Sequence, residues 1–448
     1  MAFRLDAAPW RPTHTRIAGA LGVGWALDAF EVQIIGSLLP SIAAEFDLSR
    51  REQIAVFVVW FIGIMVGALL FGYLADRIGR RRLFVATLLL YSVAAILTAA
   101  APNYEIFMLF RFITALGVGG EYSAVASAIA EFVPARNRGR TNAIVMNFWA
   151  VGGIVAGLVS IFFVSALLGE AGWRYALLFG AVSALYALWA RRHIPESPRW
   201  LAAHGREEEA NEVITAITGI PAEKATFAET ELNGDLRGQL RELWTHHRGR
   251  LLFGMALDFS EAAGYYGLFT FLAVFVLVPG VVDVSAETVP YYYLIANVGA
   301  LAGGFLVAWA LDGVGRQPTV LASYLFAAVS TVLVAAAAST GSPGMTLVAF
   351  TVAVFGATCA WVSAYPTFSE LFPTHLRATG IGACVGVGRT GAILGQVVLG
   401  ELAIQFGLWS GFLLLGAFWL VGAAAAAVWW SRGFETRGMT LEAIAAHP

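Results

Sequence analysis

The ionisable residues inside long apolar stretches have the clearest potential for chemistry in this chain. A charged side chain near the centre of a membrane-spanning helix costs about 3 kcal/mol on insertion scales, so it normally faces a cavity or a partner. Asp28 and Glu31 are three residues apart and therefore share one face of a helix. Asp258 and Glu261 repeat this spacing, and Glu121 lies between the two pairs. These acids are predicted to line a polar path, the alternative being packing against neighbouring serines or backbone groups.

Glu31 and Arg111 are predicted to lie at one depth. At a rise of about 1.5 Å per residue, Glu31 is about 21 Å from the cytoplasmic start of its span, in a hydrocarbon core of about 30 Å. Arg111 is about 9 Å below the opposite surface, which is the same level. A carboxylate beside an arginine, in a cavity that opens and closes, can bind and release a proton in each cycle. Glu31 and Arg111 are therefore the predicted proton-coupling pair, with Asp28 as the next acid to consider.

Arg389 is the second buried cation, near the midplane by the same arithmetic. Its planar guanidinium suits a carboxylate substrate, although it could instead be a packing partner for an acid. Aromatic residues that could stack a flat ring lie at comparable depths. They are Trp149, Tyr265, Tyr266, Trp361 and Tyr365. The predicted substrate site combines Arg389 with Asp258, Glu261, Glu121, Tyr265, Tyr266, Trp361 and Tyr365. Because acids outnumber cations in this set, a cationic substrate is also an alternative.

Membrane helices are the elements that must position these residues. Of the 448 residues, 58% are hydrophobic and only 13% are charged, and the mean hydropathy is +0.72. A soluble enzyme of this length would need far more charge to cover its surface. Apolar stretches of about 20 residues, long enough to cross a bilayer, recur about twelve times. The predicted spans are 17–39, 54–75, 83–101, 105–128, 141–167, 172–191, 250–278, 290–310, 317–339, 344–366, 380–404 and 406–430.

The distribution of basic residues predicts the orientation. Most of the 28 Lys and Arg fall on one side of the predicted membrane, and Arg50, Arg51 and Arg174 are the exceptions in outer loops. Cytoplasmic loops carry this excess in membrane proteins. The first apolar run is too long and too acidic for a cleaved signal peptide, so it is predicted to be a permanent span. We therefore expect a multi-pass protein of the cytoplasmic membrane with both termini in the cytoplasm.

Three motifs occur twice in the same order, separated by about 230 to 240 residues, which is the pattern of an internal duplication. The pairs are Asp28-x-x-Glu31 with Asp258-x-x-Glu261, Asp76-x-x-Gly79-Arg80 with Asp312-x-x-Gly315-Arg316, and Glu131-x-x-Pro134-x-x-x-Arg138 with Glu370-x-x-Pro373-x-x-x-Arg377. Duplicated halves can move against each other around a midplane site. The predicted fold is an all-α membrane protein with twelve transmembrane helices in two pseudo-symmetric six-helix bundles. The bundles are 1–192 and 250–431, with a cytoplasmic linker at 193–249 and a short tail at 432–448.

The repeated loop motifs are predicted to form a cytoplasmic gate. Asp76 could cap the N-terminal end of span eleven and Asp312 that of span five, each contributing under about 1 kcal/mol. Charge pairs from the third motif would add weak contacts. The alternative is solvated loop charge. The predicted gate residues are Asp76, Arg77, Gly79, Arg80, Glu131, Arg138, Asp312, Arg316, Glu370 and Arg377.

Other chemistries lack support in the sequence. There is no Gly-x-x-x-x-Gly-Lys-Ser/Thr phosphate loop, so ATP-driven transport is not supported. Cys359 and Cys384 are expected to act as small buried apolar residues rather than as a disulfide or metal ligands. We expect no enzymatic activity, metal ion, cofactor or nucleic-acid partner. The expected partners are a small-molecule substrate, a proton and the lipid bilayer, and the protein is expected to function as a monomer.

The motifs resemble those of a known family. Gly72–Arg81 resembles the loop signature of the major facilitator superfamily, and Pro195–Leu201 resembles the sugar-porter signature after span six. Arg111 with Gly117 and Gly119 extends the resemblance. It implies that spans one, four, seven and ten line a central cavity. It also implies that Glu31 and Arg111 form a proton-coupling pair, as the matching residues do in sugar porters.

Within that family, span seven departs from the sugar porters. Sugar porters usually carry paired glutamines and an asparagine in this span, whereas this chain carries Asp258, Glu261, Tyr265 and Tyr266 there. They also carry a tryptophan at the position of Tyr365 in span ten. Tyr265–Gly267 and Gly388–Gly391 look more like bacterial metabolite:proton symporters, including aromatic-acid and nicotinate carriers and synaptic-vesicle-type relatives. Aromatic-acid carriers also place an arginine in span eleven. The expected function is proton symport of a small organic acid. A sugar or polyol symporter, a proton-driven exporter and a non-transporting membrane sensor are the alternatives.

Overall fold

The computed structural model describes residues 9–78, 80–181, 186, 189, 195–203, 205–219, 236–373 and 376–436. Throughout this part of the chain the regular structure is helical. The α-helices are α1 Pro12–Phe46, α2 Arg50–Ile78, α3 Arg80–Ala99, α4 Tyr104–Phe132, α5 Ala135–Ser160, α6 Trp173–Leu178, α7 Pro198–Ala203, α8 Glu207–Thr218, α9 Leu236–His246, α10 Arg248–Phe271, α11 Val289–Gly313, α12 Arg316–Ala338, α13 Pro343–Glu370, α14 Arg377–Phe406 and α15 Leu408–Arg432. α5 continues as the π-helix Ile161–Leu168 and α10 as the π-helix Leu272–Val276.

Ten of the described helical stretches are long and apolar enough to cross a membrane. They coincide with predicted spans one to three, five and seven to twelve. The fourth predicted span is α4, a helix of 29 residues. For the sixth, the structure describes α6, the short 3₁₀ helix Phe179–Ala181 and the single positions 186 and 189, and the rest of the span after residue 181 lies outside the described part. The predicted positions of the spans therefore agree with the helices where these are described.

The helices cluster into two compact units. Unit 1 comprises Met1–Ala29, Ile62–Trp149 and Leu177–Gly234, and unit 2 comprises Phe30–Phe61, Ala150–Ala176 and Asp235–Pro448. The predicted division into bundles at 192 and 249 rests on the duplication and stays a prediction.

In unit 1, glycines of α4 let neighbouring helices approach closely. A Cβ atom on Gly119 would lie 2.3 Å from the backbone oxygen of Ile64 in α2, and one on Gly117 would lie 2.7 Å from the Cβ of Tyr91 in α3. Real Cβ contacts are never this short, so larger residues would separate the helices. Small residues are the usual means of close packing between membrane helices. The glycines of span four therefore serve close helix packing in unit 1.

Unit 2 is built around α10, which packs against α13, α14 and α15. Of its most apolar window, 94% is buried, against at most 78% for the other membrane-crossing helices described. A helix with so little lipid-facing surface can carry ionisable residues, because their side chains face protein rather than hydrocarbon. The position of α10 therefore suits the two acids it carries.

The outer-loop arginines of the charge analysis each have a defined neighbour within unit 2. Arg51 forms a two-pronged ion pair with Glu401 at 2.9 and 3.0 Å, which connects α2 to α14. Arg174 pairs with Glu45 at 2.5 Å, and the guanidinium of Arg50 lies 5.5 Å from the ring centroid of Phe275. These contacts explain why basic residues occur at this end of the helices.

Both cysteines are buried and free. The thiol of Cys359 faces the backbone oxygen of Gly303 at 3.6 Å, and Cys384 lies against Gly254, where a Cβ would come within 2.6 Å of its sulfur. The expected role as small packing residues is confirmed.

Candidate functional site

Two buried acids on α10 form the centre of the site. Asp258 is 1% exposed and Glu261 is 4% exposed, and they are one helical turn apart on the same face. The hydroxyl of Tyr365 in α13 forms a hydrogen bond with the Asp258 carboxylate. The other carboxylate oxygen, Oδ1, is buried and has no hydrogen-bond partner among the described residues. A buried polar atom without a partner is unfavourable in a folded protein.

Close packing of α14 against α10 brings the cation to these acids. A Cβ atom on Gly388 would lie 1.6 Å from Asp258 Oδ2, and one on Gly391 would lie 2.7 Å from the backbone oxygen of Phe259. Both positions therefore require glycine at the present helix separation. Arg389 follows Gly388 directly and is 5% exposed. The glycines of span eleven thus set the distance between the arginine and the acids.

Arg389 is held by an aromatic residue of α10 and faces both acids. Its Nη1 donates to the hydroxyl of Tyr266 at 3.3 Å, and its guanidinium carbon lies 5.9 Å from the centre of the same ring. The charge of Arg389 interacts with both Asp258 and Glu261. The positive charge of Arg389 therefore acts on both carboxylates.

Aromatic rings of α10 and α13 form a continuous surface beside the arginine, which we call the aromatic wall: Tyr265, Tyr266, Trp361 and Tyr365. Neighbouring rings in the wall are 5.5 to 6.5 Å apart between centroids. Phe61 of α2, also in unit 2, adds a ring 4.5 Å from Tyr266. Rings at these separations offer a stacking surface to a flat ligand. All four members were predicted as site residues from the sequence, and the structure brings them together.

Tyr324 of α12 is a neighbour of the site that the sequence analysis missed. It is fully buried, and its hydroxyl donates to the backbone oxygen of Leu257 at 2.9 Å, next to Asp258. Its ring also packs against Trp419 of α15 at 5.8 Å. No spacing or motif distinguishes this tyrosine from the others in the apolar spans, so the sequence held no signal for it.

The remaining predicted site residues lie elsewhere in the helices. Asp28, Glu31 and Arg111 are 0, 1 and 1% exposed. Asp28 and Arg111 belong to unit 1 and Glu31 to unit 2, and the pairing of Glu31 with Arg111 stays a prediction. Glu121 lies in α4, and its side chain is outside the described part. Trp149 packs against Trp25 in unit 1, with ring centres 5.4 Å apart.

The predicted cytoplasmic gate is described only in part. Gly79 and the side chains of Asp76, Arg77, Arg80, Glu131, Arg138, Asp312, Glu370 and Arg377 lie outside the described residues. Arg316 is described, and its Nη1 donates to the backbone oxygen of Leu311 at 3.1 Å.

Two glutamates outside that predicted set cap helices that begin in the repeated loops. In unit 2, the Glu435 carboxylate accepts from the backbone N–H groups of Arg316 and Gln317 at 3.1 and 3.0 Å, at the start of α12. In unit 1, Glu196 accepts from the N–H of Arg81 at 3.2 Å, at the start of α3. A carboxylate at a helix N-terminus satisfies orphan donors and the helix dipole. Glu196 and Glu435 follow the predicted sixth and twelfth spans and cap helices that begin in the two copies of one motif, so they are a fourth repeated marker.

Gly315 shows what one repeated glycine does. Its φ of +121° is a conformation that residues with a side chain rarely adopt. A Cβ here would also come within 2.9 Å of the Glu435 carboxylate. The glycine in the Asp312-x-x-Gly315-Arg316 motif therefore permits both the turn and the cap.

The fold defines a multi-pass helical membrane protein with a buried cluster of charged and aromatic side chains among its helices. The family model described as Major Facilitator Superfamily matches residues 21–396, and the chain belongs to that family. Its relatives and fold neighbours are transporters, not enzymes, and its twelve-helix architecture is that of the family.

Individual relatives extend over nearly the whole chain. The niacin transporter NiaP of Acinetobacter baylyi is 31% identical, with 98% of each chain covered. A probable 4-methylmuconolactone transporter of Cupriavidus pinatubonensis is 27% identical, covering 97% of this chain and 93% of its own. Among solved structures, the xylose transporter XylE from E. coli, in a partially occluded inward-open conformation, superposes with a TM-score of 0.77 at 22% identity, covering 96% of this chain and 100% of its own.

Proposed function

We propose that this chain is a secondary active transporter that moves a small organic acid across the cytoplasmic membrane by proton-coupled alternating access. The observation that carries the proposal is the buried Arg389 beside the aromatic wall. A guanidinium presents several donors in a planar fork that matches a carboxylate. A substrate with one carboxylate and a flat ring would therefore find a partner for each part in one site.

The names of the relatives support an acidic substrate. Niacin is a pyridine ring that carries one carboxylate, and NiaP is similar to this chain over nearly its full length. The likeness to the xylose carrier is at 22% identity and speaks to the fold alone. Span seven lacks the amides that are usual in sugar porters, which also argues against a hexose or polyol site.

The buried charges outside this site support proton coupling. Asp28, Glu31 and Arg111 are at most 1% exposed. Charges held within membrane spans are costly and usually belong to ion or proton pathways. In this proposal Glu31 and Arg111 form the coupling pair, and the protein acts as a monomer with both termini in the cytoplasm.

Arg389→Gln tests the substrate class directly. Nicotinate and nicotinamide have nearly the same shape and differ in charge, so they separate the contribution of the carboxylate from that of the ring. We expect the wild-type protein to bind nicotinate more tightly than nicotinamide. Arg389→Gln should lose about 1 to 3 kcal/mol of nicotinate affinity, the loss of a charged hydrogen bond, and little nicotinamide affinity. Arg389→Lys should restore only part of the loss.

Calorimetry on purified protein in detergent measures these affinities, and thermal unfolding checks that the variants are folded. Arg432→Gln is the matched control, because Arg432 is exposed at the end of α15. Unchanged nicotinate affinity in folded Arg389→Gln would remove the main support for an acidic substrate.

A further inference from the structure

The Asp258 carboxylate interacts with the charge of Arg389, the same cation that the proposed function assigns to the substrate carboxylate. Resting on the proposed function, we propose that Asp258 and the transported anion compete for Arg389, so that the anion binds there only as Asp258 takes up a proton. Asp258 would then be a second proton-binding residue, in the substrate site itself and separate from Glu31. Only an O–H bond forms in this step, and the proton comes from the water on the side to which the site is open.

The net charge of the site is the reason to expect that Asp258 takes up a proton when the anion binds. Asp258 and Glu261 together carry two negative charges when ionised, and Arg389 supplies one positive charge. A substrate anion would add a third negative charge in a buried region, where charges interact strongly and desolvation is unfavourable. One proton on a carboxylate returns the net charge of the site to its value before the anion was bound. Anion binding and proton uptake are therefore linked by electrostatics.

The geometry selects Asp258 as the acid that takes the proton. Its Oδ1 is buried and has no hydrogen-bond partner in the part of the chain that the structure describes, so that oxygen is available to carry a hydrogen. Its Oδ2 lies against Gly388, directly beside Arg389 in the chain. The Tyr365 hydroxyl bonds to the other carboxylate oxygen, so it can go on donating to Asp258 when Oδ1 carries the proton. Asp258 therefore keeps a partner in each protonation state.

The groups that face Asp258 come from every helix packed around it. α14 contributes Arg389 and Cys384, α13 contributes Tyr365, α12 contributes Tyr324, and α10 itself contributes Glu261. From α15, the indole of Trp419 lies against Gly264, more than one turn further along α10. Arg389 is the only cation in this set. A ligand that draws Arg389 away from Asp258 therefore removes the charge that stabilises its carboxylate.

Proton uptake on binding is the measurement that tests the exchange. Nicotinate is titrated into purified protein by calorimetry in two buffers of different ionisation enthalpy, at several pH values between about 6 and 8, which gives the number of protons taken up per ligand. We expect about one proton per nicotinate in the wild-type protein at the upper end of this range. Asp258→Asn mimics the protonated acid, so it should take up about one proton fewer and bind nicotinate with little dependence on pH.

Asp283→Asn is the matched control, since it makes the same change at an exposed position between α10 and α11. Tyr365→Phe is a second variant that leaves both acids in place, and it should shift the pH at which proton uptake is half complete. Proton uptake that persists in Asp258→Asn, or an unshifted pH profile in Tyr365→Phe, would overturn the assignment.

The wild-type measurement is decisive even if Asp258→Asn does not fold. Nicotinate binding without proton uptake anywhere in the range would overturn the inference while leaving the proposed function intact. If neither nicotinate nor benzoate binds the wild-type protein at any pH, the proposed function fails, and the inference fails with it.

Discussion

At the scale of single residues, Gly388 determines where the Asp258 carboxylate can lie. Gly388→Ala would place a Cβ 1.6 Å from the present position of Oδ2, so the carboxylate or the helix must move. Overpacking of this kind typically costs about 1 to 3 kcal/mol. We expect a lower unfolding temperature and weaker nicotinate binding, measured by thermal unfolding and calorimetry.

Gly386 provides a control on the same helix. A Cβ at Gly386 would meet no atom within 4 Å. Both substitutions gain the same helix propensity, about 1 kcal/mol in favour of alanine, so the difference between them isolates the contact with Asp258. Equal stability of the two variants would contradict the packing of α14 against α10 described above.

For the cluster around Arg389, the sequence predicted which residues lie close together better than it predicted their contacts. The three-residue spacing of Asp258 and Glu261 placed them on one face, and helical rise placed Arg389 near the same depth. The depth of a residue in the membrane does not tell how its helix is rotated about its own axis, and therefore which neighbour its side chain faces. The hydrogen bond of Tyr365 to Asp258 and the buried position of Tyr324 both depend on that rotation, so neither could be predicted.

At the scale of helices, Glu435 caps the N-terminus of α12. It thereby connects a residue after the twelfth span to the start of the ninth span. Glu435 accepts two backbone N–H groups there, and α12 has no acidic residue in its own first turn. Glu435→Ala should lower the free energy of unfolding by about 1 kcal/mol, the usual contribution of a capping side chain. Glu435→Gln should lower the free energy of unfolding by less, because the amide oxygen of glutamine can still accept a hydrogen bond from the backbone N–H groups.

Thermal unfolding of the purified variants measures this effect, with Asp283→Ala as a control for loss of an exposed carboxylate. If Glu435→Ala unfolds at the wild-type temperature, the cap contributes nothing to stability. The repeated loops predict helix caps at Asp76 and Asp312. The cap by Glu435 could not be predicted, because a residue over 100 positions away leaves no local pattern.

At the scale of the whole molecule, the charge distribution predicts the orientation in the membrane. We expect a single cysteine at position 207, in the linker helix α8, to be protected from an impermeant thiol reagent applied to intact cells. One at position 285, between α10 and α11, should be labelled. Cys359 and Cys384 would first be replaced by alanine. Labelling at position 207 but not at 285 would invert the proposed topology.

The duplication and the compact units describe different properties of the chain. The repeated motifs divide the sequence into two halves, whereas unit 2 includes residues 30–61 and 150–176 together with the second half. A duplication records how the sequence arose and is the same in every conformation. Packing depends on the conformation that a transporter adopts, and the sequence does not specify one. The helices could therefore be predicted, while their grouping into units could not.

Energy coupling is a property of the whole transport cycle, and Glu31 is the proposed residue for it. It is 1% exposed in α1, so an ionised side chain there would be costly without a partner. Glu31→Gln fixes the side chain in a neutral form. Such a carrier should still bind its substrate and change conformation, but it should no longer respond to a pH gradient. In proteoliposomes, uphill accumulation of labelled nicotinate should disappear, while exchange of labelled for unlabelled nicotinate should persist.

This combination of results separates coupling from binding. Loss of both accumulation and exchange would indicate that Glu31 is needed for folding or for substrate binding instead. Arg111→Gln should change the pH dependence of accumulation, since it removes the predicted counter-charge of Glu31. Accumulation against a gradient in Glu31→Gln would show that another acid couples transport to the proton. Asp28, one turn earlier in α1 and fully buried, would be tested next, and Asp258 would then have to be considered as the sole coupling residue.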